Sequence, residues 1–307
     1  MAQNISDKLL NKKWGVFNHY LYHPSSGESD SVWSERVAAL DVDAIAKTMA
    51  DVGAGYYFIT LMQGRKFMIA PNATFDSIAG TEPGMACSKR DLPLDLYTAL
   101  KKYGIDLYLY YTGDGPHLDE SEGKKFGFTE PRGAGVKKEF VERWAKVLEE
   151  YAVRYGDKVN GWWIDGCYKE YFKYTEELAK PLYDACKKGN PNALVALNDG
   201  VKPHIVKDFE YSDMTCGEFN DFTEIPPSRF IDGAQAFILA PLGKSTDGTE
   251  WGSWCKPGCK RSKEYMVDYI RKVNAAGGVV TIDIVIDANG KYDPAQIEIL
   301  KYIGDNL

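Results

Sequence analysis

Short apolar segments alternate along the chain with amphipathic ones, and this order constrains the fold more than any other feature. The apolar segments are five to seven residues long and rich in β-branched and aromatic side chains, as buried strands are. They lie at residues 14–18, 56–61, 106–111, 161–165, 193–198, 211–215, 234–240 and 278–283. Helical patterns separate most of them and end in glycine, at residues 43–53, 90–104, 136–156, 174–189, 261–277 and 293–304. A terminal glycine is typical of a left-handed helix cap.

Such alternation predicts an α/β fold in which helices surround a parallel sheet. Eight strand candidates in 307 residues favour a (β/α)8 TIM-type barrel, and one catalytic domain accounts for residues 1–307. Long polar loops at 201–210 and 219–233 replace clear helices, so we expect an irregular barrel around strands five to seven. The chain contains neither a GxGxxG after the first strand nor a GxxxxGK[ST] motif, which removes the usual arguments for a dinucleotide or a P-loop nucleotide.

Charge and hydropathy narrow the range of partners. A formal net charge of −7 argues against nucleic acid, and the longest apolar runs are shorter than the roughly 18 residues of a membrane span. The N-terminal residues show no apolar signal region, so we expect a cytoplasmic protein as written, or a periplasmic or secreted one if the N-terminus was processed. The oligomeric state is left open.

The six cysteines are scattered, and most are expected to be buried thiols. Cys255 and Cys259 are the close pair, in the sequence CKPGC. A loop with or without a disulfide explains this spacing better than half of a zinc site, because no second close pair follows. We therefore predict no metal and no cofactor.

Polar residues occur where the predicted strands end. In a barrel of this type the active site lies at the C-terminal ends of the strands, so these side chains are expected to converge on one rim. They are His19, Gln63, Tyr111, Asp165, Asn198, Glu218 and Asp283.

Carboxylates among aromatic side chains favour glycoside hydrolysis, in which one acid attacks the sugar and another protonates the leaving oxygen. Possible stacking faces are Trp162, Trp163, Tyr110, Tyr111, Trp251 and Trp254. Trp162 and Trp163 alternate in direction on a strand, so only one of them can face a ligand. A metal-dependent hydrolase is disfavoured, because no HExxH motif is present.

Five segments, in order, resemble the α-L-fucosidases of glycoside hydrolase family 29. They are WGVFNH at 14–19, DAIAKTMADVGAGYYFIT at 43–60, KRDL at 89–92, WWIDG at 162–166 and the closing GGVVTID at 277–283. The resemblance runs from Trp14 to Leu307. It implies a barrel that hydrolyses an oligosaccharide or a simpler glycoside.

Carried over residue by residue, the resemblance implies two catalytic roles. Asp165, in the WWIDG motif, takes the place of the nucleophile. Glu218, in DMTCGE at 213–218, takes the place of the acid/base. Glu210, Asp213 and Glu224 are fallback candidates for the second role. His19, Gln63, Tyr111, Trp163, Asn198, Asp283 and Trp254 are predicted to contact the sugar.

The sequence also departs from the family pattern. MQGRKF at 62–67 replaces a KHHDGF segment, so two sugar-contacting histidines become Gln63 and Gly64. NDGV at 198–201 lacks the arginine of an NDRW segment, and Asp283 replaces an asparagine. We therefore expect a retaining exo-glycosidase whose sugar differs from fucose. Two alternatives stay open, namely a catalytically inactive carbohydrate-binding barrel and an inverting glycosidase that uses Asp283.

Overall fold

The computed structural model describes residues 4–22, 30–128, 133–246 and 252–307. The strands are β1 (Trp14–Asn18), β2 (Tyr56–Thr60), β3 (Asp106–Thr112), β4 (Val159–Asp165), β5 (Leu194–Leu197), β6 (Phe230–Ile231), β7 (Ala234–Gln235), β8 (Phe237–Pro241) and β9 (Val279–Asp283). The helices are α1 (Asp7–Lys12), α2 (Asp30–Ala39), α3 (Val42–Asp51), α4 (Ala73–Ala79), α5 (Leu92–Lys101), α6 (Glu120–Phe126), α7 (Lys138–Tyr155), α8 (Glu176–Gly189), α9 (Lys263–Ala275) and α10 (Pro294–Asn306).

Seven strands form one parallel sheet in the order β5-β4-β3-β2-β1-β9-β8. The sheet curls into a half-barrel surrounded by helices, which confirms the predicted α/β class with a parallel sheet. All strands point the same way, so their C-terminal ends meet at one edge, as the position of an active site requires.

The main departure concerns the predicted sixth strand: among the described residues this position holds no regular strand, so a complete eight-stranded barrel is not confirmed. Met214 and Glu218 make only isolated bridges, to Gln235 and Leu239. The backbone N–H of Asp213 donates to the Val195 carbonyl at 2.8 Å, so this irregular segment touches both edge strands of the sheet. The predicted strand at 234–240 is divided into β7, which pairs with β6 in a separate antiparallel ribbon, and β8.

Two of the six predicted glycine caps serve another purpose. Gly189 and Gly304 lie inside their helices, in α8 and α10. A Cβ at Gly189 would lie 1.7 Å from the Ala152 carbonyl oxygen, and a Cβ at Gly304 would lie 2.1 Å from that of Val52. These glycines therefore allow close backbone packing between helices or between a helix and a loop. Among the described residues, no helix combines the length and apolar character needed to cross a bilayer.

Side chains alternate between the two faces of the sheet. Trp162 and Leu109 pack on the outer face against the helices, whereas Trp163, Tyr110 and Phe17 pack on the concave face. The same alternation carries Asp165, two residues beyond Trp163, onto the concave side at the rim.

Candidate active site

A cavity of about 220 Å³ opens at the C-terminal ends of the strands. The residues that line it come from several strands and from the loops that follow them. They are His19, Gln63, Tyr110, Trp163, Asp165, Tyr168, Glu218, Leu239, Trp254 and Cys255. The structure thus brings together six of the nine residues predicted for the site.

Asp165 is the last residue of β4 and is 8% exposed. Its Oδ2 accepts a hydrogen bond from the Tyr110 hydroxyl at 2.6 Å, and its Oδ1 accepts from the Tyr168 hydroxyl at 3.0 Å and the Asn198 amide at 2.8 Å. Burial, followed by the charge of Asp165, raises the pKa of both tyrosines, so they stay protonated donors. A buried carboxylate is stable only with such partners, and here they also fix its orientation.

Glu218 lies beside Asp165 and shares a partner with it. Nδ2 of Asn198 donates to Glu218 Oε2 at 2.8 Å, the same length as its bond to Asp165 Oδ1. The two acceptor oxygens are therefore at most twice 2.8 Å apart. Burial, and next the charge of Asp165, raises the pKa of Glu218 from its ordinary 4.5 to about 7. Near neutral pH, Glu218 can therefore both carry a proton and give it up.

His19 and Asp283 form a second pair at the edge of the cavity. His19 Nδ1 lies 2.8 Å from Asp283 Oδ1, and the backbone N–H of Cys255 donates to Asp283 Oδ2 at 3.3 Å. Burial lowers the pKa of His19, but the charges of Cys255 and Asp283 and hydrogen bonds to both outweigh it and raise that pKa well above its usual range. Asp283 itself is 1% exposed and lies behind His19, outside the cavity lining.

Gln63 and the aromatic residues complete the wall. Gln63 Nε2 donates to the Tyr110 hydroxyl at 2.8 Å, so a chain of hydrogen bonds runs from Gln63 through Tyr110 to Asp165. Trp163 stacks on Tyr110, with ring centroids 5.5 Å apart, and Trp254 meets His19 edge to face at 5.7 Å.

Tyr111 is a correction to the predicted set. Its ring is fully buried on the outer face of the sheet and stacks on Trp144 with centroids 5.0 Å apart. Because neighbouring strand residues point in opposite directions, Tyr110 faces the cavity in its place. Asn198 is fully buried and contacts the two acids rather than lining the cavity.

Besides Tyr110, the sequence-based set omits three lining residues: Tyr168, Leu239 and Cys255. Tyr168 follows Asp165 by three residues, which is the signal that was available. Cys255 was noted only as part of a loop, and it has a free thiol and a left-handed backbone with φ 59°. Leu239 carries no polar signal at all.

The fallback acids lie away from the cavity. Asp213 pairs with Lys187 at 2.7 Å, Glu224 lies 3.4 Å from His204, and Glu210 is exposed. Cys259 is a free thiol like Cys255. Within the described ranges, no three His, Cys, Asp or Glu side chains form a metal-binding group. Trp251, a possible stacking residue, lies outside the described residues.

Solved structures that share this fold include alpha-L-fucosidases and an endo-fucoidan hydrolase. An alpha-L-fucosidase of glycoside hydrolase family 29 from Bacteroides thetaiotaomicron has a TM-score of 0.67 at 17% identity, over 99% of this chain and 73% of that one. An endo-fucoidan hydrolase of family 107 has a TM-score of 0.72 at 16% identity, over 98% and 93%. Alpha-L-fucosidase isoenzyme 1 from Paenibacillus thiaminolyticus has a TM-score of 0.68 at 16% identity, over 98% and 74%. At this level of identity, the similarity shows a common fold.

The sequence comparison extends the relationship beyond the fold. No curated protein sequence matches the chain. The model of the alpha-L-fucosidase family, however, matches residues 36–307. The protein is thus a glycoside hydrolase, and it belongs to the alpha-L-fucosidase family.

Proposed function

We propose that the protein is a retaining exo-glycosidase in which Asp165 is the nucleophile and Glu218 the acid/base. One observation carries the proposal, namely the single amide nitrogen that bonds an oxygen of each acid at 2.8 Å. Retaining enzymes hold their two carboxyl groups about 5 to 5.5 Å apart, whereas inverting enzymes need roughly 6.5 to 9.5 Å to admit a water molecule. The bridge through Asn198 supports the shorter class.

In the first step, Asp165 attacks the anomeric carbon and the bond from that carbon to the leaving oxygen breaks. Glu218 gives its proton to the leaving oxygen at the same time. A pKa raised to about 7 suits this task, since about half of the Glu218 carboxyls still carry a proton at neutral pH. Hydrogen bonds from the hydroxyls of Tyr110 and Tyr168 keep the Asp165 carboxylate aligned as its charge moves into the new bond.

In the second step, water attacks the same anomeric carbon from the side that the leaving group vacated. Glu218, now ionised, accepts a proton from that water, and Asp165 departs as a carboxylate. Two displacements at one carbon restore the original anomeric configuration. A covalent intermediate trapped with 2-fluoro-fucosyl fluoride in the Bacteroides thetaiotaomicron enzyme supports this order of events for a chain of the same family.

We propose that the sugar is related to fucose and is contacted by different side chains from those of the family pattern. Gln63 lines the cavity where the family pattern has an imidazole, and its amide is already bonded to Tyr110. Gly64 has φ +63°, and a Cβ there would lie 3.1 Å from the His117 ring. A side chain at this position would therefore crowd the His117 ring and strain the backbone. His19, with its raised pKa, supplies the cation in the pocket.

A panel of aryl glycosides tests the proposal, with the parent, Asp165→Asn and Glu218→Ala assayed on each and the first-released anomer read by NMR. We expect activity on a glycoside closely related to an α-L-fucoside, and product with the configuration of the substrate. Asp165→Asn is expected to lose several orders of magnitude on every substrate, and Glu218→Ala mainly on substrates whose leaving group needs protonation.

Each alternative predicts a different result. An inverted first product that depends on Asp283 would establish the inverting mechanism. A parent that binds sugars without cleaving any of them would establish the carbohydrate-binding barrel.

A further inference from the structure

Glu218 borders two depressions at once. The active-site cavity and a neighbouring depression of about 480 Å³ share Tyr168 and Glu218, whereas Asp165 lines only the first. If Glu218 protonates the leaving oxygen, as the proposed function holds, then the leaving group lies on its side of the anomeric carbon. The larger depression is therefore where the remainder of the substrate extends.

His19, Trp254 and Cys255 belong to the part of the cavity lining that the neighbouring depression does not share. Asp283 holds this part together, because its carboxylate contacts His19 Nδ1 and accepts a hydrogen bond from the Cys255 backbone N–H. The Trp254 indole N–H donates to Asn220 Oδ1 at 3.2 Å. A terminal sugar bound against these residues meets the neighbouring depression at Tyr168 and Glu218, which line both spaces.

Hydrogen bonds within the protein hold the neighbouring depression in shape. The Asp199 carboxylate accepts from the backbone N–H of Lys169 at 2.5 Å and from Lys202 Nζ at 2.7 Å, so it joins the loop after β4 to the loop after β5. A pre-formed site loses less entropy when a ligand binds. Two of its lining residues are about half exposed, Tyr171 at 50% and Val201 at 49%, and the Tyr171 ring meets that of Tyr168 edge to face with centroids 6.4 Å apart. An exposed aromatic ring in a polar depression is a surface on which a sugar ring can stack.

A further depression of about 370 Å³ borders the second one at Val201 and Lys202. Both exceed the cavity of about 220 Å³ that receives the terminal sugar in the proposed function, so each has room for at least one more sugar unit.

The charge of the two outer depressions limits which sugar chains they can bind. The two outer depressions are lined by Lys169 and Lys202 on the positive side, and on the negative side by Glu170, Asp199, Asp221 and Glu224, of which Asp221 is paired with Arg261. Both lysines already bond to carboxylate or carbonyl oxygens of the protein. A sulfated or otherwise polyanionic chain meets a surplus of like charge there.

We propose that the leaving group of the substrate is an uncharged oligosaccharide of at least two sugar units, bound along the two outer depressions with its first ring against Tyr171. The proposal rests on the proposed function for the direction of the substrate. It adds a leaving-group site, a minimum length and a preference for neutral chains.

The test compares substrates that share a terminal sugar and differ in the leaving group. The terminal sugar is the one cleaved best in the aryl-glycoside panel, or α-L-fucose if none is cleaved. We use its 4-nitrophenyl glycoside, a neutral trisaccharide that ends in it and the same trisaccharide carrying sulfate on the two leaving-group units. Tyr171→Ala is expected to lower kcat/KM for the neutral trisaccharide by about 3- to 10-fold and to leave the nitrophenyl substrate within about 2-fold. The parent is expected to cleave the sulfated trisaccharide at least about 10-fold less efficiently than the neutral one.

Tyr103→Ala is the matched control. Tyr103 is 49% exposed and follows the C-terminal end of α5, which lies away from the rim. Equal effects of Tyr171→Ala on both neutral substrates, or no effect on either, would overturn the leaving-group site. A preference for the sulfated chain would overturn the charge argument.

Calorimetry with Glu218→Gln separates this inference from the proposed function. If the parent cleaves nothing but Glu218→Gln binds the neutral trisaccharide, and adding Tyr171→Ala weakens that binding, the oligosaccharide site stands while the catalytic proposal falls. If the trisaccharide does not bind, the inferred site falls as well.

Discussion

Asp165 and Glu218 accept hydrogen bonds from the same atom, Nδ2 of Asn198, at 2.8 Å each. An amide nitrogen has two hydrogens, and here each is directed to a different carboxyl. The spacing of the two acids is thus set by one buried side chain at the end of β5. A disturbance of this amide should alter both acids together.

Asn198→Ala is expected to lower kcat/KM by about 10²- to 10³-fold, comparable to the loss of one preorganised donor at a reacting group. The Asn198 bond lowers the pKa of Glu218, so its removal should also raise that pKa and move the alkaline limb of the pH profile upward. Steady-state kinetics across pH measure both effects. Asn192→Ala, in an exposed turn, is the control. An unshifted alkaline limb in Asn198→Ala would show that the amide does not tune Glu218.

The pH dependence of activity should report Glu218 directly. With its pKa at about 7, kcat/KM for a glycoside with a poor leaving group is expected to fall as pH rises through that value, because the acid loses its proton. Glu218→Gln should lose about 10²- to 10⁴-fold on that substrate and far less on an activated aryl glycoside, whose leaving group needs little protonation. Equal losses on both substrates would assign the acid role elsewhere.

The stability of the folded protein should also fall as pH rises. The pKa of Glu218 is raised from 4.5 to about 7 by folding, so the stability associated with its protonated form is complete below about pH 4.5 and is lost as pH rises through about 7. Glu218→Gln cannot ionise and should be more stable than the parent at pH 8, on the order of 3 kcal/mol, with little difference at pH 4. Urea unfolding at the two pH values measures this. A variant less stable at pH 8 would contradict the burial argument.

Asp283→Asn tests whether Asp283 reacts or only orients His19. Its charge raises the pKa of His19, so the substitution should lower that pKa and reduce kcat/KM by roughly 10-fold, the scale of a lost charge-assisted hydrogen bond. The anomer released first should stay the same. NMR titration of His19 and product analysis are the measurements, with the exposed Asp305→Asn as control. A loss of several orders of magnitude with a changed product would assign Asp283 a catalytic role.

Gly217 immediately precedes Glu218 and has φ +52°, and a Cβ there would lie 1.9 Å from the Phe237 carbonyl oxygen. Gly217→Ala must therefore push Glu218 away from β8, and we expect a destabilisation of more than about 3 kcal/mol together with lost activity. Gly104→Ala is the matched control, since Gly104 has φ +69° but no described atom within 4 Å of its Cβ position. It should cost only about 1 kcal/mol, from backbone strain alone. Similar unfolding midpoints for the two variants would contradict the steric argument.

The sequence by itself determined the α/β class, the parallel sheet and the position of Asp165 at a strand end. Those features follow from local periodicity, because a buried parallel strand reads as a short apolar run and a surface helix as an amphipathic one. The ordered motifs also indicated the family. The same local signals could not show that residues 211–215 form an irregular segment between β5 and β8. This arrangement depends on the close approach of Gly217 to the β8 backbone, which is a long-range contact.

Only the tertiary structure decided which side chains meet. Tyr110 and Tyr111 are equally aromatic neighbours, and the direction in which the sheet curls selects Tyr110 for the cavity. Asn198 lies 33 residues from Asp165 and 20 from Glu218 in the chain, yet its amide touches both. Strand order and register create such contacts, and they arise from long-range packing that no local pattern in the sequence records.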